Sequence, residues 1–233
     1  MKYEITPVAI ARSCYKEKFA TPRQSGIVPS ATGSIQLLPP YNDPDALLGL
    51  EDCSHIWLEF IFHQCVDQGW KSKVRPPRLG GNKKMGVFAT RATHRPNGIG
   101  LSVVKLESIT RTQQDIVLNV SGLDLIDGTP IIDIKPYIPY SDCIQDATYP
   151  FAQDKPPEVP ITFSVEAQSQ LDDPELLAFI KEVLSQDPRP AFHKVDEQRL
   201  YGAHLADRNV TWRYFEEGSQ IKIEVISASI RGA

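Results

Sequence analysis

Between residues 55 and 63 the chain reads HIWLEFIFH, an alternation that puts Ile56, Leu58, Phe60 and Phe62 on one face and Trp57, Glu59, Ile61 and His63 on the other. Successive side chains of a strand point to opposite faces, so a strand that is partly apolar on both needs cover on both. A barrel or a stacked sheet supplies that cover. Runs rich in β-branched and aromatic residues at 3–9, 34–38, 86–90, 99–109, 115–121 and 130–134 predict further short strands joined by turn-rich loops. One short helix is expected over 44–50, with Asp43 as its cap and Pro44 at its first position.

The pattern changes after residue 148. Pro150, Pro156, Pro157 and Pro160 mark 149–160 as a linker, because proline removes backbone donors and discourages regular structure. Beyond it, 161–165 predicts a strand and 173–186 an amphipathic helix capped by Asp173. Residues 210–215 and 220–227 predict a hairpin around Glu216-Glu217-Gly218-Ser219. The expected organisation is a mainly β domain over 1–148, a linker over 149–160 and a small α+β domain over 161–233.

At 233 residues and 41% hydrophobic content, the chain can bury a sizeable core. The N-terminus lacks a charged head followed by a long apolar run, and no stretch approaches the roughly 18 apolar residues of a spanning helix, so a cytoplasmic protein outside the membrane is expected. Cys14, Cys53, Cys65 and Cys143 have neither CxxC nor CxxH spacing, which predicts neither a metal site nor a disulfide framework. A net charge of −4 argues against a protein that coats nucleic acid indiscriminately. Yet no acidic residue occurs between Asp67 and Glu107, a stretch holding Lys71, Lys73, Arg75, Arg78, Lys83, Lys84, Arg91, Arg95 and Lys105. Such a stretch suits contact with phosphates, each neutralised phosphate releasing counterions, and equally suits a solvated basic loop.

Four segments have the polar, Gly/Pro-rich character of binding loops held by strands. In Thr21-Pro22-Arg23-Gln24-Ser25-Gly26 a stiff turn offers planar hydrogen-bonding groups. In 86–102 a strand leads into Arg91, His94, Arg95 and Asn97 and another leaves it, which reads as a binding loop or as a hairpin whose arginines bridge local carbonyls. Leu123-Asp124-Leu125-Ile126-Asp127-Gly128-Thr129-Pro130 combines a tight turn with two carboxylates able to accept from an amine or a ribose. Gln186-Asp187-Pro188-Arg189-Pro190-Ala191-Phe192-His193 ends the C-terminal helix, with two prolines expected to fix an arginine and an aromatic in exposed positions. Neither a P-loop nor a GxGxxG fingerprint occurs.

Together, PRQSG, RPPRLGGN, GVFATR, HRPNGIGLS, LDLIDGTPIIDIKPY and DPRPA resemble, in order and over nearly the whole chain, the TrmO/TsaA-like family, also called YaeB-like. The resemblance implies a β-barrel unlike the Rossmann-type methyltransferases, a homodimer, and S-adenosylmethionine as cofactor, with no metal and no membrane partner. It implies N6-methylation of threonylcarbamoyladenosine beside the anticodon of tRNA. The implied cofactor residues are Pro22, Arg23 and Gln24, His63 and Gln64, Arg91, Leu101, and Asp127, Gly128, Thr129 and Pro130.

An arginine for a carboxylate, amide groups for an adenine edge and polar turn atoms for a ribose fit that cofactor. Methyl transfer from a sulfonium needs alignment and removal of a proton from the attacking nitrogen, for which Asp127, His94 and Asn97 are the candidates. Arg95 is the candidate for the threonyl carboxylate or carbamoyl group. Arg189, Phe192, His193 and Lys194 are the candidates for the anticodon loop of the tRNA, where aromatic and guanidinium planes suit unstacked bases. The chain departs from the family's usual pattern with Gly98 for proline, Ala92 for serine and Phe192 for tyrosine. The alternatives are a related methyltransferase with another acceptor and a non-catalytic S-adenosylmethionine-binding protein.

Overall fold

The computed structural model describes residues 1–80, 82–190 and 193–230. From the N-terminus, β1 (Ala9–Ser13), β2 (Thr32–Leu37) and β3 (His55–Ile61) are followed by a long excursion bearing the small ribbon β4 (Lys73–Val74) and β5 (Met85–Gly86). Then come β6 (Ile99–Arg111), β7 (Ile116–Ser121), β8 (Pro130–Pro136) and the single-turn helix α1 (Pro139–Asp142). Six strands close into a barrel in the order β1-β2-β7-β6-β3-β8, with every neighbouring pair antiparallel. The expected alternation holds: Ile56, Leu58 and Phe60 fill the interior with Ile35, Leu118 and Ile131. A Cβ on Gly100 would come within 2.4 Å of the Phe60 ring, so the glycine of the IGLS run is the residue that lets that ring lie across β6.

Antiparallel closure has a direct consequence for the loops. The C-terminal ends of β1, β3 and β7 all lie at one end of the barrel, so the connections 14–31, 62–98 and 122–129 share one mouth. Because β7 and β8 stand opposite each other around the ring, 122–129 must cross that mouth, and Leu123 and Leu125 are buried as it does so.

The C-terminal part begins with β9 (Ile161–Phe163), α2 (Val165–Gln170) and α3 (Pro174–Ser185), and continues with β10 (Leu200–Leu205), β11 (Arg208–Glu217) and β12 (Gln220–Ile230). The sheet order is β10-β11-β12-β9, with β9 parallel to β12. Asp173 caps α3 by accepting from the Glu175 N–H at 2.9 Å, and α3 buries Phe179, Ile180, Val183 and Leu184. The two parts share one core: Tyr15 meets Phe179 at 5.8 Å, and Phe19 stacks on Trp212 at 5.7 Å with the rings 6° from parallel.

Several expected elements differ. The first strand is 9–13 rather than 3–9, because its inward residues are the small Ala9, Ala11 and Ser13, which carry little hydropathic contrast. Residues 87–89 form a 3₁₀ turn, not a strand: Val87 is buried, Phe88 is exposed, and the Thr90 hydroxyl donates to the Val87 carbonyl at 2.9 Å. The helix expected over 44–50 stops at Leu47 as a 3₁₀ turn capped by Asp43, and Gly49 then turns the chain at φ +85°. β10 and α2 have no counterpart among the expected elements. The hairpin of β11 and β12 turns on Gly218 and Ser219, with Gly218 at φ +65°.

Candidate active site at the barrel mouth

The loop 14–31 is built on buried anchors, Tyr15, Ala20, Pro22, Val28 and Ala31, so its polar residues are presented from a packed base. Its far end is sewn to the mouth-crossing loop, with the Gly26 N–H donating to the Gly122 carbonyl and the Gly122 N–H to the Ala31 carbonyl, each at 2.8 Å. The C-terminal part holds it from behind. Glu17 accepts from the His204 N–H at 2.9 Å, and Glu182 of α3 accepts from the Ser30 hydroxyl at 2.6 Å.

Gln24 and Arg91, from different loops, meet directly: the Arg91 guanidinium donates to Gln24 Oε1 at 2.6 Å. Asp124, on the crossing loop, completes this cluster. Its Oδ1 accepts from the Ser102 hydroxyl at 2.6 Å, and the Arg91 charge and the Ser25 amide also act on it. Burial nonetheless dominates and pushes its carboxyl up to about 6. Three of the four motif segments thus converge on one carboxylate. Asp124 is visible in the sequence only as one of two aspartates in LDLIDG; two carboxylates three residues apart do not reveal which one a crossing loop turns inward.

Asp127 goes elsewhere. It accepts from the Ser13 N–H at 2.8 Å and pairs with Lys16 at 3.1 Å. Burial pushes its carboxyl up, but those two contacts outweigh that and leave it below the usual carboxylate range, which makes it a weak base. Gly128 at φ +79° and Thr129 follow it along β1, the Gly128 N–H donating to the Ala11 carbonyl and the Ala11 N–H to the Thr129 carbonyl, each at 2.9 Å. Pro130 opens β8 opposite Ile10. Asp127 lines an open groove of about 620 Å³ with Arg12, Lys16, Ser34, Glu107 and Asn119. The candidate cofactor residues therefore fall into two groups, Pro22–Gln24 with Arg91, and Asp127–Pro130 with β1. Asp124 and Asp127 are three residues apart, so their own Cα atoms lie within about 10 Å of each other.

The remaining candidates distribute as follows. Leu101 is exposed on the outer face of β6, whereas its neighbour Ser102 faces inward. Gln64 is exposed and its carbonyl accepts from the Lys18 ammonium at 3.1 Å; His63 is half-buried beside it. His94 lines a hollow of about 270 Å³ with Lys71, Lys73, Arg75 and Lys84, and its Nδ1 is buried without a hydrogen-bond partner among the described residues. Asn97 is exposed. Arg95 donates to the carbonyls of Thr90 at 2.7 Å and Val87 at 3.3 Å through one terminal nitrogen, bridging local carbonyls while its other donors make no hydrogen bond among the described residues. Gly98 sits at φ +62° and donates its N–H to the Arg95 carbonyl at 3.1 Å.

In the tail, Arg189 is not in the exposed position expected of it. Its side chain is 12% exposed, packed 4.8 Å over the Tyr214 ring and paired with Asp187 at 3.1 Å. His193 contacts the Tyr201 hydroxyl at 3.2 Å, and burial, Arg199 and Arg189 lower its pKa. Lys194 is exposed, and Phe192 lies outside the described residues.

The models of the tRNA-methyltransferase O N-terminal domain and the TrmO C-terminal domain match residues 10–143 and 156–228. The chain belongs to the tRNA-methyltransferase O family. It is 47% identical over 226 residues to the Escherichia coli K12 protein named tRNA (adenine(37)-N6)-methyltransferase, covering 94% of this chain and 96% of that one. A Pseudomonas aeruginosa protein provisionally named an S-adenosylmethionine-dependent methyltransferase is 47% identical over 220 residues, covering 92% and 94%. The crystal structure of TrmO from Pseudomonas aeruginosa superposes with a TM-score of 0.78 at 40% identity, covering 98% of this chain and all of that one. The expected barrel of the tRNA-methyltransferase O family is thus the observed one.

Proposed function

We propose that this S-adenosylmethionine-dependent methyltransferase acts on tRNA at adenosine 37, methylating N6 of a threonylcarbamoyl-modified base next to the anticodon. The observation that carries the reading is the Gln24–Arg91 pair at the barrel mouth, joined by Asp124 and set beside a surface of unpaired cations. Among the described residues, no carboxylate pairs with Lys71, Lys73, Arg75, Lys83, Lys84, Arg91 or Arg95. In a chain of net charge −4, that segregation fits a phosphate backbone.

The donor set fits the cofactor: a guanidinium for its carboxylate, and the Gln24 amide and the loop's backbone for its base. When bound, S-adenosylmethionine supplies an electrophilic methyl group on a sulfonium. The chain supplies alignment. The packed base of 14–31 fixes one wall, and the excursion 62–98 brings the acceptor nucleotide to the other. The N6 proton of a threonylcarbamoyl adenine is acidified, so a modest acceptor suffices. Of the three candidates, His94 has an unpartnered ring nitrogen among the described residues, whereas Asp127 is committed to Ser13 and Lys16. Arg95 retains donors for the threonyl carboxylate, and Lys194 lies on the part of the tail open to RNA. The exposed Val66, Trp70, Phe88 and Leu101 support a homodimer built on this side of the barrel.

A nucleoside digest by mass spectrometry, after incubation with the cofactor and either threonylcarbamoyl-modified or unmodified tRNA, tests the reading. A methyl gain confined to the modified adenosine is expected. Methylation of unmodified tRNA, or none on either, refutes the acceptor assignment.

A further inference from the structure

Asp124 is the carboxylate where the 21–26 loop, the Arg91 loop and β6 meet. Its hydrogen bonds come from neutral groups, the Ser102 hydroxyl at 2.6 Å and the Ser25 amide. The cation nearest it in influence, Arg91, already donates to Gln24 at 2.6 Å and forms no ion pair with Asp124. The negative charge is therefore only partly compensated, and burial makes it costly. Among the titratable groups around it, Tyr15 is pushed far up by its own burial and stays neutral. Asp127, on the same loop, has Lys16 for itself. A cation arriving beside Asp124 would meet a preformed, under-neutralised partner, and Arg91 stands ready for an anion a short way along the same cluster. That arrangement matches a zwitterionic ligand that carries a carboxylate and positive charge.

We propose that Asp124 is the charge-selecting residue of the cofactor site, its half-buried carboxylate drawing the cationic part of S-adenosylmethionine while Arg91 takes the carboxylate. This rests on the placement of the cofactor between the 21–26 loop and Arg91. The cationic part is either the sulfonium or the α-ammonium. S-adenosylhomocysteine, which keeps the ammonium and lacks the sulfonium charge, separates the two.

Because a cation favours the ionised carboxyl, binding takes place with release of a proton near and below pH 6, and affinity falls as Asp124 becomes protonated. The substitution Asp124→Asn removes the charge but keeps the hydrogen bonds, since its carbonyl can accept from the Ser25 amide and its NH₂ can donate to the Ser102 hydroxyl. A second variant, Ser102→Ala, removes a donor to the charged form and leaves the carboxylate in place.

The test is calorimetric titration of the full-length protein with S-adenosylmethionine and with S-adenosylhomocysteine between pH 5 and 8, beside the melting temperature of each variant. Asp124→Asn is expected to melt no lower than the parent, to bind S-adenosylmethionine about 10-fold or more weakly at pH 7.5, and to lose the pH dependence. Ser102→Ala is expected to move the midpoint of that dependence to higher pH. A loss confined to S-adenosylmethionine assigns the sulfonium; equal losses for both ligands assign the ammonium. Unchanged affinity and pH profile in Asp124→Asn, with Arg91→Ala weakening binding, overturns the role of Asp124 alone. Unchanged affinity in both Asp124→Asn and Arg91→Ala overturns the placement of the cofactor as well.

Discussion

The two long loops at the barrel mouth face the same space but are made in opposite ways. Loop 14–31 buries Tyr15, Ala20, Pro22, Val28 and Ala31 and is backed by the C-terminal sheet through Phe19, whereas 62–98 carries Trp70, Phe88 and most of its lysines in the open. The first is rigid because its side chains belong to the common core; the second is held by a two-residue ribbon and local turns. A small ligand that must be held in one orientation is served by the first kind of wall. A polyanion that must enter and leave is served by the second. The C-terminal part is joined closely to the barrel because it forms the back wall of loop 14–31, through Phe19 on Trp212 and the Glu182–Ser30 and His204–Glu17 hydrogen bonds.

Trp212→Ala breaks the comparison most severely. Trp212 is fully buried and carries the Phe19 ring, so its removal is expected to cost about 3–5 kcal/mol in denaturant unfolding. Amide exchange should rise over 19–28 while 62–98 stays as it was. Equal loosening of both loops would mean that the sheet does not support 14–31 selectively.

The crossing loop holds a second contrast, between two aspartates three residues apart. Asp124 has its folded-state pKa raised by burial to about 6 from a usual 3.8, so folded protein binds more protons than unfolded protein between those values. Its contribution therefore lowers stability as pH rises from about 4 to about 6, by up to about 3 kcal/mol at ~1.4 kcal/mol per unit. Asp127 has the opposite sign. Its lowered pKa contributes stability above the usual carboxylate range that is lost as pH falls through it, no more than about 1 kcal/mol for a partly exposed pair with Lys16. Melting the ligand-free protein from pH 4 to 7 checks both: Asp124→Asn should gain stability relative to the parent toward pH 7, and Asp127→Asn should lose it. Parallel curves for the two variants would show that burial does not separate them.

How much of this is legible in the sequence depends on the kind of force involved. The alternation in 55–63 announces a strand partly apolar on both faces, which leaves a barrel and a stacked sheet open; closure is decided by pairings between distant strands. The strand 9–13 is hidden because Ala9, Ala11 and Ser13 are small enough to line a barrel without looking apolar. The motif segments mark the three mouth loops, but the sequence cannot show that antiparallel closure forces 122–129 across the opening. That crossing turns Asp124 inward and sews Asp127 to β1. Arg189 defeats the exposed placement expected of it for a related reason: its partner Tyr214 lies on a strand 25 positions away, beyond the reach of local pattern. Gly98 is the instructive intermediate. Its φ of +62° and its N–H bond to the Arg95 carbonyl are both closed to proline, so the turn built here requires a residue other than the proline that the resemblance leads one to expect. Gly98→Pro should cost about 1–3 kcal/mol in unfolding and lower methyl transfer by displacing Arg95 and Asn97. A stable, active variant would mean that the loop can adopt a course open to proline.

The smallest effect on folding is expected from the excursion's cations, and it isolates the loop's purpose. Lys71, Lys73, Arg75 and Lys84 surround the hollow beside His94 without a carboxylate partner among the described residues. Changing all four to glutamine removes no ion pair and relieves mutual repulsion, so the melting temperature should stay level, with stability changed by no more than about 0.5 kcal/mol. Binding to tRNA should weaken at every salt concentration. The slope of log K against log salt should shrink by roughly 0.7 for each phosphate of an unstacked anticodon loop that is no longer neutralised, while affinity for S-adenosylmethionine is unaltered. A fall in cofactor affinity would instead join the two walls energetically, and an unchanged salt slope would turn the excursion into an ordinary solvated loop.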